Sequence, residues 1–341
     1  MLGLLCLACA GQHSLWPEDV TFDLTGCEEV LLKVEAVPVA GLFQNVNNYF
    51  VAPDSVLVVV HRAGRLGPLV QLADLRTGAI LEETLPFGAG PQAALQVSAQ
   101  FRDGVLYIDD FAQHHLYSID IADLRTRGVD YHPTLEADYH GWEINNVTAL
   151  WRGRFAGVNP YCFEDEASGI ANPDEERLVF FHRHQRPCQK RRTCDYDTGN
   201  VVQGHILPLP AQDRIVFASS TVPLIEFYDG SGRKVKRMRG PHPPFARYAN
   251  QNGNIAFIGS VPFAYQGPIV KDNMLFLNYI GGFGADGNLC STIIQMDMVG
   301  DIHQVLRAPV FFSSFSVMDD GTIYGTDAHS DTPTLWKLFV N

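Results

Sequence analysis

The sequence predicts an all-β chain folded as a six-bladed β-propeller. Three observations carry that prediction: a strand pair repeated six times, a last repeat that is one strand short, and an apolar N-terminal stretch able to supply the missing strand. Each repeat opens with a polar turn followed by a short β-branched or aromatic run, at residues 54–58, 103–107, 152–156, 213–217, 272–276 and 320–324. With Val56, Val105, Phe155, Ile215, Met274 and Ile323 as anchors, successive steps are 49, 50, 60, 59 and 49 residues. That is the length of a four-stranded propeller blade with loop insertions.

A second echo follows most anchors. Residues 69–74, 116–120, 224–229, 293–297 and 335–339 share an apolar pair, a polar residue and another apolar residue, the alternation of a strand facing two environments. Turn chemistry comes next, as in Arg76-Thr77-Gly78, Asp229-Gly230-Ser231-Gly232 and Val299-Gly300-Asp301, and leads into an outermost strand. The final repeat ends at residue 341 with three strands and an unpaired edge. Residues 28–39, which include Val30, Leu31, Leu32 and Val34, are the expected donor of its fourth strand, closing the ring. No stretch carries sustained helical periodicity with caps at both ends; residues 91–97 promise a turn or two at most.

Composition agrees with many short strands and excludes some roles. With 46% hydrophobic and 18% charged residues, 30 Gly and 20 Pro, the chain is folded rather than disordered and rich in turns. A net charge of −13 is the wrong sign for neutralising phosphates, so nucleic acid is not an expected partner. The basic run Lys190-Arg191-Arg192 has no interleaved aromatics and reads as a solvated loop. Gly281-Gly282-Phe283-Gly284 lies between two strand candidates with no following helix and is not a nucleotide loop.

Residues 1–16 form an export and anchor region, and residues 17–341 one propeller domain. The first ten residues are apolar, end in small residues and are too short to span a bilayer; with no basic segment ahead of them, the true start is expected upstream. Leu7-Ala8-Cys9 resembles a bacterial lipobox, which makes Cys9 the lipidated residue, the alternative being an ordinary cleaved signal. The expectation is a monomer that meets the membrane only through its lipid anchor and sits in the cell envelope, facing the periplasm or on the outer-membrane surface.

These features together resemble the TolB-like six-bladed propeller lipoproteins of Gram-negative bacteria. The resemblance covers the export segment, the six repeats and the connecting loop Gly88-Ala89-Gly90-Pro91. The family often places an acidic residue after that loop, whereas Gln92, Ala93 and Ala94 follow here. The resemblance implies an envelope-attached binding or scaffolding propeller.

In a propeller, the links between blades and the loops joining second to third strands emerge on one face, around the mouth of the central channel. His61, Asp109, Asp110, Asn159, Asn278, Tyr279, Asp327 and His329 are the ligand-binding candidates on that face, with Arg62, Ser219 and Ser220 beside them. Paired acids such as Asp109-Asp110 are donors that calcium prefers; equally, Asp, Asn and Ser at strand ends form turns by bonding their own backbone. The acidic, aromatic segment at residues 161–166 suits a lid or a solvated excursion. Cys188 and Cys194 lie six positions apart in one loop and, in an oxidising compartment, are expected as a disulfide, with Cys162 as rival partner and a zinc site with His182 and His184 as the alternative. No Gly-x-Ser-x-Gly elbow or His-Glu-x-x-His helix is present. The function expected is therefore non-catalytic recognition of a protein or glycan through the loop face, without a cofactor. Its rival is a carbohydrate-active or lactonase-like enzyme using carboxylates such as Asp110, Glu164, Asp165 and Asp327, with calcium as a possible cofactor.

Overall fold

The computed structural model describes residues 18–38, 46–62, 67–90, 92–142, 144–160, 164–165, 170–171, 177–183, 203–241, 248–251, 254–257, 264–283, 289–326 and 334–340. They build six blades of antiparallel strands arranged as a ring, with two further two-stranded hairpins, Glu164–Asp165 with Ile170–Ala171 and Tyr248–Gln251 with Asn254–Phe257. Blade 1 runs outward through Val46–Ala52, Val56–His61, Pro68–Asp74 and Ile80–Pro86, and blade 2 through Val97–Arg102, Val105–Asp110, His115–Asp120 and Thr134–Asp138. Blade 3 contributes Asn145–Ala149, Arg154–Val158 and Leu178–His182. Blade 4 has Gly204–Leu209, Arg214–Ser219, Leu224–Asp229 and Lys234–Arg239; blade 5 has Tyr265–Lys271, Met274–Phe283, Leu289–Met296 and Ile302–Arg307. Blade 6 has Ser314–Val317, Ile323–Thr326 and Leu335–Phe339.

Each repeat anchor falls at the start of a second strand, because the polar turn before it is the hairpin from the inner strand. Asp54, Asp103, Arg152, Asp213 and Asp272 all take left-handed φ values between 49° and 61° in those hairpins, where Asp and Asn are tolerated better than branched residues.

The blades are held face to face by apolar side chains. The described residues form six buried clusters, one at each seam. Alternation within a single strand explains this: Val58 and Val60 pack toward blade 2, while Leu57 and Val59 pack toward blade 6. A strand sandwiched between two neighbours is apolar on both faces, which is why the second strands are nearly unbroken runs of Val, Leu, Ile and Phe.

The N-terminal segment closes the ring. Lys33–Val37 pairs antiparallel with Leu335–Phe339, Val34 opposite Leu338 and Ala36 opposite Trp336, completing blade 6. Of the expected donor at 28–39, only this part closes the ring. Glu29–Leu31 instead adds a parallel strand to the outer edge of blade 5, and Glu18–Thr21 does the same on blade 4. Ion pairs from Glu29 to Arg307 (2.6 Å) and from Asp19 to Arg239 (3.2 Å) fix these additions. One continuous segment thus straps three consecutive blades.

A short α-helix, Ile121–Arg127, follows the third strand of blade 2. Asp120 caps it by accepting from the Asp123 N–H at 2.9 Å, Gly128 ends it at φ 55°, and Ile121 and Leu124 are buried in the seam with blade 1. Residues 92–96, for which a turn or two was the most that the pattern allowed, form a non-helical link, and the strand begins at Val97. No described helix is long and apolar enough to cross a membrane.

Candidate functional site: the channel and its mouth

The second strands end on the upper face, as the sequence predicts, but their terminal polar residues are buried. His61, Asp109, Asp110, Asn159 and Asn278 are each less than 5% exposed, and Tyr279 is 6% exposed. Each lies one strand outward from the channel, and for Asp109, Asp110 and the Asn278 amide NH₂ the burial cost is met by bonds to an inter-blade link or to the next blade.

Asp110 is the fullest example. Oδ2 accepts from the Leu95 N–H (2.9 Å) and Gln113 Nε2 (2.7 Å), and Oδ1 from the N–H groups of Gln96 (3.2 Å) and Ala112 (3.1 Å). Gln113 Nε2 also donates to Ala93 O at 3.0 Å, so this carboxylate and amide together shape the link after Gly88-Ala89-Gly90. Asp109 points to the other seam, accepting from the Tyr139 hydroxyl and, at 2.9 Å, from the Val147 N–H of blade 3. Full burial, reinforced by the neighbouring Asp110 charge, pushes the Asp109 carboxyl up to about 7 against the pull of those two donors. Both acids therefore act as staples rather than as oxygens offered to a ligand.

The remaining candidates are buried with fewer bonds, and the Tyr279 hydroxyl and Asn278 Oδ1 have no hydrogen-bond partner among the described residues. His61 Nε2 lies 2.6 Å from Gln71 Oε1, and Gln71 in turn bonds Glu83. The Asn159 N–H donates to Arg177 O at 2.8 Å. Asn278 Nδ2 donates to Phe312 O at 2.7 Å on the link to blade 6. The Tyr279 ring lies 5.8 Å from that of Tyr265, and burial raises its hydroxyl to about 12. Asp327, His329, His184, Cys188, Cys194, Cys162 and Cys9 fall outside the described residues. His182 is exposed at the end of its strand, and no group of three or more His, Cys, Asp or Glu suited to a metal occurs among the described residues.

What does face the channel is a different set. All six inner strands line an upper cavity of about 230 Å³, and the polar residues come from the first turns of those strands. Asn47 and Asn48 of blade 1, Ser98 of blade 2, Asn146 of blade 3, His205 of blade 4 and Gln266 of blade 5 all line it, with Ser313 and Ser314 of blade 6. None of these is charged; His205 is kept neutral, its pKa pulled down to about 4 by burial. In the sequence they sit seven to ten residues ahead of the repeat anchors, polar positions leading otherwise apolar strands.

Phe50, Phe101, Ile269 and Val270 line both this cavity and a second, lower one of about 540 Å³, and so form a waist between them. The Phe50 and Phe101 rings lie 5.8 Å apart. The lower mouth is charged, with Asp54, Asp103, Asp319 and Asp320 against Arg102 and Lys271, and Lys271 pairs with Asp319.

Known structures share this ring. A protein described as exported, from Bacteroides fragilis, aligns with a TM-score of 0.52 at 10% identity over 95% of this chain and 99% of its own. A member of the DUF4221 family from Bacteroides vulgatus aligns with a TM-score of 0.51 at 8% identity, over 91% and 96% of the two chains. A calcium-binding regucalcin from Agrobacterium tumefaciens aligns at 0.48 and 10% identity over 92% and 95%. At these identities the likeness is one of fold. No protein-family model and no curated protein matches the sequence.

One further buried cluster stands apart from the channel. Glu226, on the third strand of blade 4, meets Arg177 Nε and Lys234 Nζ at 2.8 Å each and Arg237 Nε at 3.3 Å, and accepts from the Tyr228 hydroxyl at 2.7 Å. Burial alone would raise its pKa, but the surrounding cations, Arg177 foremost, hold it down to about 2. Arg177 directly precedes the strand Leu178–His182, so this ion cluster ties blade 3 to blade 4.

Proposed function

We propose that this chain is a non-catalytic binding propeller of the bacterial envelope, similar in kind to the TolB-like lipoproteins and tethered through Cys9, that recognises a glycan or a protein at its upper face. The observation that carries this is the division of labour among polar residues. The described carboxylates at second-strand ends are consumed inside the seams, while the channel mouth presents uncharged amide, hydroxyl and imidazole groups. Such groups bind and orient; a glycoside-cleaving pair would need two carboxyls facing one another across the site.

The strap gives the tether a direction. Glu18–Thr21 runs parallel to Lys234–Arg239, which starts at the lower-face turn of blade 4. A lipid on Cys9 would therefore draw the lower face toward the membrane and leave the channel mouth pointing away.

The test is retention without turnover. The full chain is expected to be retained by immobilised glycans or by an identified envelope protein, and to leave chromogenic glycosides and lactones intact. Turnover of either would overturn the non-catalytic assignment. For the tether, Cys9→Ala is expected to move the chain from the membrane to the soluble fraction, and unchanged membrane association would remove it.

A further inference from the structure

The ring leaves a particular set of hydrogen-bonding groups unspent in the upper cavity. Asn47, Asn146 and Gln266 come from blades 1, 3 and 5, alternate positions around the axis. Each commits its amide NH₂ to a backbone carbonyl of a neighbouring blade: Asn47 to Val97 O at 2.7 Å, Asn146 to Gly204 O at 2.8 Å, and Gln266 to Ser220 O at 3.1 Å. A backbone carbonyl can only accept, so these bonds dictate which end of each amide is nitrogen. Three side-chain carbonyl oxygens are then left without a protein partner among the described residues, all on residues lining one cavity.

Between them stand groups of the complementary kind. Asn48, Ser98 and His205 also line the cavity and have no side-chain hydrogen bond among the described residues. A neutral imidazole carries one N–H donor and one bare acceptor nitrogen, and a hydroxyl does both. Charge is missing from the set. Arg102, the one charged residue in the described lining of this cavity, is spent on Ala149 O at 3.0 Å and on the Tyr107 ring at 4.7 Å.

These features select a ligand class. Among the described lining residues an anion would meet only Arg102, already engaged by Ala149 O and the Tyr107 ring, and calcium favours carboxylates, none of which is among them. The cavity of about 230 Å³ lies below the usual range for drug-sized ligands, so it takes a single ring rather than a folded peptide segment. The three carbonyl oxygens need hydroxyl donors, Asn48, Ser98 and His205 can both give and receive, and Phe50 and Phe101 beneath offer apolar surface. We propose, resting on the assignment of the chain as a binding module, that the upper channel binds one neutral polyhydroxyl ring, either a free monosaccharide or cyclitol or the terminal residue of a glycan.

The experiment uses the full chain with glucose, galactose, N-acetylglucosamine and myo-inositol as probes, by ligand-observed NMR and calorimetry, followed by immobilised glycans carrying the same terminal residues. Ser98→Leu and His205→Leu obstruct the cavity without removing any of the three amide stitches, and thermal melts confirm that both variants remain folded. At least one neutral compound is expected to bind, with affinity falling about tenfold or more in both variants, roughly the loss of one well-placed hydrogen bond or ring contact. Binding of free rings assigns a small-molecule site; binding of glycans alone, with the same loss in both variants, assigns a glycan terminus. The inference is overturned if none of these binds, if binding is unchanged in both variants, or if calcium chloride or ammonium takes the site instead. Retention of an identified envelope protein that survives Ser98→Leu, with no sugar bound, would sink this inference while leaving the binding-module assignment standing. Retention of nothing would sink both.

Discussion

Asp109 makes the stability of the ring depend on pH in a direction opposite to Glu226, whose carboxyl is held down by cations. Its ordinary value of 3.8 rises to about 7 in the folded chain, because it is sealed between blades 2 and 3 beside Asp110, with the Tyr139 hydroxyl and the Val147 N–H as its only donors among the described residues. Between these values the folded state holds a proton that the unfolded state has released. Stability from this group is therefore complete below pH 4 and is lost as the pH rises through 7. The slope approaches about 1.4 kcal/mol per pH unit, and the whole loss between pH 5 and pH 8 comes to about 3 kcal/mol. Asp109→Asn imitates the protonated acid: its carbonyl accepts from Val147 and its NH₂ faces the Tyr139 oxygen. Urea unfolding of both proteins, followed by tryptophan fluorescence at pH 5, 6, 7 and 8, isolates the effect, since other titrating groups cancel in the difference. The variant is expected to match the parent near pH 5 and to exceed it by about 3 kcal/mol at pH 8. Parallel curves across that range would refute the assignment of a buried, protonated Asp109.

Glu226→Gln removes the buried carboxylate that meets Arg177, Lys234 and Arg237 and is expected to cost about 3–5 kcal/mol in denaturant unfolding, because the buried side of each cation loses its anionic partner; a loss under about 1 kcal/mol would show that the cluster opens to water. In the parent, its contribution is in place above pH 4.5 and fades as the pH falls toward 2, the usual acid limb. Deleting residues 33–37 is expected to lower the midpoint of the entire chain, with hydrogen exchange rising at Val51 and Leu57 in blade 1 as well as in blade 6; loss confined to blade 6 would mean that the ring does not depend on closure. Gly204→Ala would place a methyl 2.5 Å from the Phe217 ring and 2.6 Å from Ala218 O, backbone that cannot move aside, and is expected to cost about 1–3 kcal/mol in the same unfolding assay, with a neutral result excluding this close approach.

The fold was legible because a propeller writes its period into the chain. Every hairpin from inner to second strand needs a left-handed residue, so Asp54, Asp103, Asp213 and Asp272 recur at matching places, and every second strand is sandwiched between blades, so its middle is apolar on both faces. Ring closure was legible for the same reason: three strands at the C-terminus leave an edge that the N-terminal apolar run must cover. The strap on blades 4 and 5 was not. Its strands are three and four residues long and mostly exposed on one side, and parallel pairing to an outer edge imposes almost no pattern on Glu18–Thr21 or Glu29–Leu31. The helix at Ile121–Arg127 escaped because only Ile121 and Leu124 need to be apolar in two turns, although Asp120 and Gly128 mark both its ends.

The site is harder to read than the frame for a geometric reason that the polar residues make plain. Two positions in each repeat bring polar side chains to the upper face: the end of the second strand and the start of the inner one. Adjacent strands are only about 4.8 Å apart, yet that one step decides whether a side chain meets the axis or the underside of a link. Asp110 and Asn278 take the outer position and become staples; Asn146 and Gln266 take the inner one and divide themselves, nitrogen to the neighbouring blade and oxygen to the cavity. Periodicity places both sets on the same face and cannot rank them. Charge does rank them here, since Asp109 and Asp110 fall at the outer position, where backbone donors meet them, and the described polar residues at the starts of the inner strands are neutral. An amide that is half structural and half exposed does two jobs at one residue, so substituting it confounds folding with binding. Ser98 and His205, which stitch nothing among the described residues, are the positions at which recognition can be separated from the frame.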